Sequence, residues 1–210
     1  TAALDAVREY CDDRADFATW AEALELHARA LAEAEEDPAE IGELHFRLGN
    51  LWRDELHRSD RALIHYRAAI DFDAAQRPAM TAARAIYAEA GRWDQVAKLL
   101  SREADSLPKG QKRVALLAEL AAMYSERLED RRAALEALRE ASELAPSDLH
   151  VRHQLATVLL DLADSEGDAK RAAEQRREAA DVLCAMAQAV SDDYALAYLE
   201  AALDAVPEHA

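Results

Sequence analysis

The chain is short of almost everything that makes tight turns, cross-links or cofactor cradles. Its 210 residues include 5 glycines, 5 prolines, 2 cysteines and 3 tryptophans, and aromatic residues make up 6%. A β-sandwich or barrel needs many tight turns, so this scarcity of Gly and Pro argues against both. No apolar run approaches the roughly 20 residues of a membrane span. The opening Thr1-Ala2-Ala3-Leu4-Asp5 lacks the basic and apolar segments of a signal peptide and has no initiator Met, so a processed chain or a piece of a longer one is expected. Cys11 and Cys184 are far apart in sequence, and a bridge across an elongated array is not expected. Both read as small buried apolar residues, which favours a reducing compartment; the expected location is the cytoplasm, or the periplasm if a leader has been removed.

Positive charge is the other shortage. Lys and Arg total 25 against 42 Asp and Glu, a formal net charge of −17. Such a body repels polyanions at long range, which argues against nucleic acid and anionic membranes as partners. What the chain does have is apolar and helix-forming: 51% is hydrophobic, and Ala alone supplies about a quarter. Ala, Leu, Glu and Arg are the strongest helix formers, so the composition predicts an all-α fold. The excess of Arg over Lys and the Ala-rich surface suggest a bacterial protein from a GC-rich genome.

Helical periodicity runs almost unbroken, with helices expected near 2–12, 16–35, 39–57, 60–72, 77–90, 93–107, 111–128, 131–144, 148–164, 168–190 and 192–206. Asp37-Pro38 and Arg77-Pro78 place proline near a first helical turn, where its missing N–H costs little. Ala145-Pro146-Ser147-Asp148 reads as a stop, a turn and a new N-cap. In Ser165-Glu166-Gly167-Asp168, Gly167 is able to take positive φ and Asp168 to cap the helix that follows. No linker splits the chain, so 1–210 is read as a single domain.

Internal repetition is strong. Sliding the chain by 72 residues places Leu48 on Leu120, Gly49 on Ala121, Trp52 on Tyr124 and Leu56 on Leu128; further on, Ala62 meets Ala134, Leu63 meets Leu135, Ala69 meets Ala141 and Phe72 meets Leu144. Small positions stay small and large positions stay large, as two close-packed antiparallel helices require. Arg77–Gly110 forms one more unit of about half that shift, with Tyr87, Gly91, Trp93, Ala97 and Pro108 in order.

These residues resemble the tetratricopeptide repeat family. Leu48-Gly49-Asn50-Leu51-Trp52 followed by Ala62-Leu63, Tyr66, Ala69 and Phe72 is similar to one full repeat with a one-residue insertion between its helices. Arg77–Gly110 is similar to a regular repeat, and Leu120-Ala121 through Pro146 to a third carrying the same insertion. The resemblance is clear over 42–163, with 1–41 read as a degenerate repeat and 164–210 as irregular C-terminal helices. There, 168–190 is longer and more polar than the pattern, and Tyr194 through Pro207 is similar to the second helix of another repeat. The implied architecture is a right-handed superhelical array (an α-solenoid) of antiparallel helix pairs, about eleven helices in all.

No reaction centre emerges from the motifs. There is no glycine-rich phosphate cradle and no Gly-x-Ser-x-Gly elbow. His150 and His153 share a helix face but have no third ligand at motif spacing, so they read as surface or groove histidines, and no metal or cofactor is expected. Trp52 and Trp93 occupy repeat positions that are normally core, while Trp20 is placed to cap the first repeat. The chain therefore reads as non-catalytic.

What the family resemblance implies instead is an inner wall lined by the first helix of each pair. Its inward positions are Glu43, Phe46, Asn50, Arg53 and Asp54; Thr81, Ala85, Ala88 and Glu89; Ala118, Ala122, Ser125 and Glu126; and His150, His153, Thr157 and Asp161. The small residues leave room for a bound segment, and Asn50 is placed to hydrogen-bond its backbone. Relatives that clamp a chaperone's C-terminal carboxylate share a Lys/Arg/Asn set at these positions. Here Phe46, Ala85, Ala118 and Ala122 stand there instead, and only Asn50 agrees. The expected function is a protein-interaction adaptor or scaffold holding a neutral-to-basic protein or peptide in the concave face. The alternatives are a spacer or oligomerisation arm of a larger protein that meets other domains of its own parent chain, and a peptide-sensing regulatory domain.

Overall fold

The computed structural model describes residues 2–190 and 193–206; Pro207, expected to close the last repeat, lies outside them. Among the described residues there are eleven helices and no strands. They are α1 (Ala2–Asp12), α2 (Phe17–Glu33), α3 (Pro38–Asp54), α4 (Ser59–Phe72), α5 (Arg77–Glu89), α6 (Trp93–Ser106), α7 (Gln111–Glu126), α8 (Arg131–Leu144), α9 (Leu149–Ser165), α10 (Ala169–Ala189) and α11 (Asp193–Ala205). The chain divides into two compact units, Thr1–Leu99 and Leu100–Ala210.

In the first unit α1 packs on α2, α2 on α3, α3 on α4 and α4 on α5. The α3–α4 pair is antiparallel. Gly42 lies against Ala69 and Asp73, Gly49 against Tyr66, and Trp52 beneath the Arg61 guanidinium. Four residues on α3, Gly42, His45, Gly49 and Trp52, step by three and four and so form one stripe facing α4. A Cβ added at Gly49 would run into the Tyr66 ring. Only glycine lets this ring, which has no exposed surface, lie flat on the α3 backbone. The Tyr66 hydroxyl then donates to Asn50 Oδ1 at 2.8 Å, and burial pushes its pKa up to about 12.

The 72-residue repetition is reproduced bond for bond in the turns. Arg58 N–H donates to Trp52 O at 2.8 Å and Asp130 N–H to Tyr124 O at 2.9 Å. In both turns the residue before the donor is left-handed, His57 with φ of 52° and Glu129 with φ of 53°. The turn after α5 is one residue shorter: Arg92 N–H reaches Tyr87 O at 2.8 Å, with Gly91 at φ of 67°. The extra residue explains why α3 and α7 stop at Asp54 and Glu126, two to three residues earlier than periodicity suggests. Leu56 and Leu128 continue the helical spacing in sequence, but they belong to the turn.

In the second unit α7 packs on α8, α8 on α9, α9 on α10 and α10 on α11. Small residues again sit at the contacts: Ala121, Ala134, Ala141, Ala156, Ala179 and Ala180 are all buried. Asp148 and Asp168 cap α9 and α10 by accepting from the second and third backbone N–H groups. Gly167 does not use the positive φ open to it, and Glu166 and Asp168 on either side are extended. The long α10 is a packing helix. Its apolar half buries Leu183 and Met186 beside Ala202 of α11. Its polar half is pinned by Arg139 to Glu178 at 2.6 and 3.0 Å and by Arg176 to Asp164 at 2.9 Å. Cys11 is fully buried, Cys184 only partly, and both are free thiols.

At the position of the Gly49–Tyr66 contact the second unit has Ala121 and Leu138. Gly49→Ala should therefore destabilise the protein by about 1–3 kcal/mol through overpacking, despite the roughly 1 kcal/mol that Ala adds to helix propensity. Gly49→Ala with Tyr66→Leu, which copies the second unit's pair, should recover most of that loss in chemical denaturation. A single mutant as stable as the parent would show that the ring is not held by this contact.

Candidate interaction surfaces

Helix α3 presents two further stripes besides the one that meets α4. Phe46, Asn50 and Arg53 face a shallow trough of about 810 Å³, whose other wall is Ala75, Arg77, Pro78, Thr81, Ala82 and Ala85 at the start of and along α5. Thr81 and Ala85 are exposed, and Phe46, Asn50 and Arg53 are half-buried. Apart from Arg77, the wall opposite Phe46 is thus made of small side chains, which is what leaves the space. Phe46 lies 6.0 Å from the Tyr66 ring, centroid to centroid, so Tyr66 supports Phe46 as well as Asn50. Asn50 Oδ1 is taken by Tyr66, which leaves its amide N–H groups as the donors the trough can offer.

Charge along this stripe is paired. Arg53 forks onto Asp54 at 2.7 and 3.0 Å, which holds the Asp54 carboxyl below the usual carboxylate range. The same hydrogen bond, and more weakly Glu89 of α5, raises the pKa of Arg53. Glu43 accepts from Arg47 at 3.0 Å and from Gln76 at 3.3 Å.

The third stripe, Leu44 and Leu51, faces a deeper groove of about 890 Å³ that sequence reasoning did not find. Phe17, Trp20, Leu24 and Leu31 of α2 continue its floor, and Arg8 of α1 stands at its edge. Trp20 both lines this groove and packs against the buried cluster of Ala21, Leu24, Ala28 and Leu48. The α2 residues recur at helical spacing, and nothing in the sequence separates a groove floor from an ordinary core stripe.

Beneath the two surfaces, a polar chain ties α2 to the α3–α4 pair. Glu25 Oε1 accepts from Trp52 Nε1 at 3.2 Å and from His65 Nε2 at 3.2 Å. His65 Nδ1 in turn meets His45 Nδ1 at 3.2 Å, and His45 stacks on Phe72 with centroids 5.6 Å apart. A carboxylate only accepts, so His65 Nε2 carries a proton; in the neutral pair His45 Nδ1–H then donates to His65 Nδ1. A proton added at His45 Nε2 leaves that bond in place, and a second, at His65 Nδ1, would set two N–H groups against each other. Trp52, expected as core, is thus half-buried and hydrogen-bonded.

The remaining wall residues are in the second unit. Ala118, Ala122 and Ser125 are half-buried and Glu126 exposed on α7, while His150, His153, Thr157 and Asp161 are exposed on α9. Thr157 Oγ1 donates to its own helix at His153 O, 3.0 Å away, and Asp161 lies 3.9 Å from Arg131. Of the expected set, then, the structure gathers Phe46, Asn50, Arg53, Thr81 and Ala85 around one trough, with Glu89 near Arg53, and turns Glu43 and Asp54 toward the deeper groove. Among the described residues no three His, Cys, Asp or Glu side chains converge on a possible metal position, and no helix is long and apolar enough to cross a membrane.

No family model matches the chain, and no curated protein does. Solved structures similar to it include YrrB, described as a TPR protein with an unusual peptide-binding site, 23% identical over 90% of this chain and 95% of its own, with a TM-score of 0.39. MamA is 14% identical over 95% of this chain and 94% of its own, with a TM-score of 0.41. The TPR2AB domain of yeast Sti1, in its pHSP90 complex, is 14% identical over 91% of this chain and 81% of its own, with a TM-score of 0.36. The chain is similar to tetratricopeptide-repeat structures along most of its length. Its fold stands on its own helices and its own 72-residue repeat.

Burial lowers the pKa of both His45 and His65 below the ordinary 6.5; the neighbouring imidazole adds to the effect at His45, and Glu25 opposes it at both. A histidine harder to protonate folded than unfolded leaves stability intact above 6.5 and removes it as the pH falls toward the lowered values. The charged groups in reach are Glu25 and Arg61. The unfolding midpoint should therefore drop between about pH 7.5 and about pH 5, and His45→Phe with His65→Phe should flatten that drop. An equal drop in the double mutant would assign it to other groups.

Proposed function

We propose that the chain is a protein-interaction adaptor that holds a segment of a partner protein against the α3–α5 face. The observation that carries this reading is the trough itself. An array of helix pairs leaves Phe46, Asn50 and Arg53 opposite Arg77, Thr81 and Ala85, so that one aromatic ring, one amide and two guanidinium groups line open space. Such a surface offers apolar contact together with directional hydrogen bonds, the mixture that peptide recognition uses. With the chain at −17, a neutral or basic segment is favoured over an acidic one. The α7 and α9 residues, Ala122, Ser125, Glu126, His150, His153, Thr157 and Asp161, are proposed as a continuation of partner contact in the second unit.

Selection of a displayed 16-residue peptide library on the purified protein tests the reading. Enriched peptides should lose at least tenfold in affinity on Thr81→Trp with Ala85→Trp, two exposed positions where a large side chain fills the trough without disturbing the core. Undiminished binding would move the site elsewhere.

A second reading, an oligomerisation arm, rests on α11. Its Tyr198, Ala201, Ala202 and Ala205 pack inward, while Leu196, Leu199 and Leu203 are 59%, 44% and 42% exposed. These three leucines share one helix face. Light scattering should show mass rising with concentration and falling back on Leu199→Lys with Leu203→Lys; a monomer mass throughout would remove this reading.

A further inference from the structure

We propose that the groove floored by α2 and walled by α3 is a docking site for a basic amphipathic helix of about four turns. The inference stands apart from the trough: it uses a different stripe of α3 and, apart from Asn50, different residues.

Three observations lead to this occupant. The floor is apolar, made of Phe17, Trp20, Leu24, Leu31, Leu44 and Leu51, and all but Leu24 keep part of their side chains accessible. From Phe17 to Leu31 the stripe spans fourteen residues of α2, about 21 Å of helix, which is the length of four helical turns. A groove of about 890 Å³ lies at the upper end of those that enclose whole ligands.

The walls decide the partner's conformation. Both are α-helices, whose backbone donors and acceptors are used internally, and Asn50 is the one amide side chain in the lining. An extended peptide laid on this floor would bury its own N–H and C=O groups against apolar side chains without partners. A helix arrives with those groups already bonded and presents anchors at i, i+3, i+4 and i+7.

The rim decides its charge. The lining has four carboxylates, Glu40, Glu43, Asp54 and Glu55, and two guanidiniums, Arg8 and Arg47. Glu43 is paired with Arg47 at 3.0 Å and Asp54 with Arg53 at 2.7 Å, so the attraction for a cation rests on Glu40 and Glu55. Glu40 and Glu55 are exposed and stand at the two ends of α3. A helix with Lys and Arg flanking an apolar face would meet opposite charge at both ends, in a field set by the whole acidic chain.

The probe is a fluorescein-labelled 16-residue peptide with Leu and Trp on one helical face and Lys and Arg on the other, followed by anisotropy and circular dichroism. It should bind saturably, gain helicity on binding and weaken as salt rises. A scrambled peptide of the same composition, lacking the apolar face, should bind at least tenfold more weakly. Glu40→Lys with Glu55→Lys should cost a similar factor, and Leu44→Arg should cost as much while the far-ultraviolet spectrum of the protein is kept. Thr81→Trp with Ala85→Trp should leave the affinity unchanged. Equal binding of the scrambled peptide, or no effect of the groove variants, overturns the proposal. Loss of the peptide only in the Thr81/Ala85 variant would place it in the trough instead. Failure of the trough variants on library peptides leaves the groove result standing on its own.

Discussion

The closeness of α3 to α4 is the constraint on which the first unit depends. Glycine at position 49 lets the Tyr66 ring lie on a helix backbone, and the ring then does two further things. It supports the face of Phe46, and its hydroxyl takes up the Asn50 carbonyl so that the amide points outward with only donors to offer. A core contact thus sets the polarity of a surface group. In the second unit the same register has Ala121 and Leu138, a looser and wholly apolar version of the same packing, so the two units share a backbone plan without sharing this surface.

Helix α3 shows how one element serves three neighbours. Its 3.6-residue period divides Gly42, His45, Gly49 and Trp52 from Phe46, Asn50 and Arg53, and both from Leu44 and Leu51. The α4-facing stripe is the one that carries both glycines; the Phe46 stripe is directed at α5, and the leucine pair at α2. Each of the three carries a large apolar or aromatic side chain. Only the positions of its neighbours tell which stripe is core and which is open.

That is also why the fold was more legible in the sequence than the surfaces were. The eleven helices follow from Ala-rich periodicity broken at Pro38, Pro78, Pro108 and Gly91, and the 72-residue match finds both inserted turns. Local propensity and capping suffice for that. The Phe46–Asn50–Arg53 and Thr81–Ala85 positions follow once the helices are paired. The groove beside Trp20 does not, since its floor has the spacing of a core stripe. Nor does the link from Glu25 to His65, forty residues apart and on different helices, because a lone glutamate on a helix rich in charge reads as a solvated side chain.

Most of the helix packing within each unit is between consecutive elements. These contacts close across connections of a few residues, so little chain entropy is lost in forming each of them. Low contact order of this kind belongs with folding times of microseconds to milliseconds. The left-handed turn residues His57 and Glu129, flanked by short-range backbone hydrogen bonds, then act as local latches: each sets the reversal of one hairpin before any distant part of the chain has to arrive.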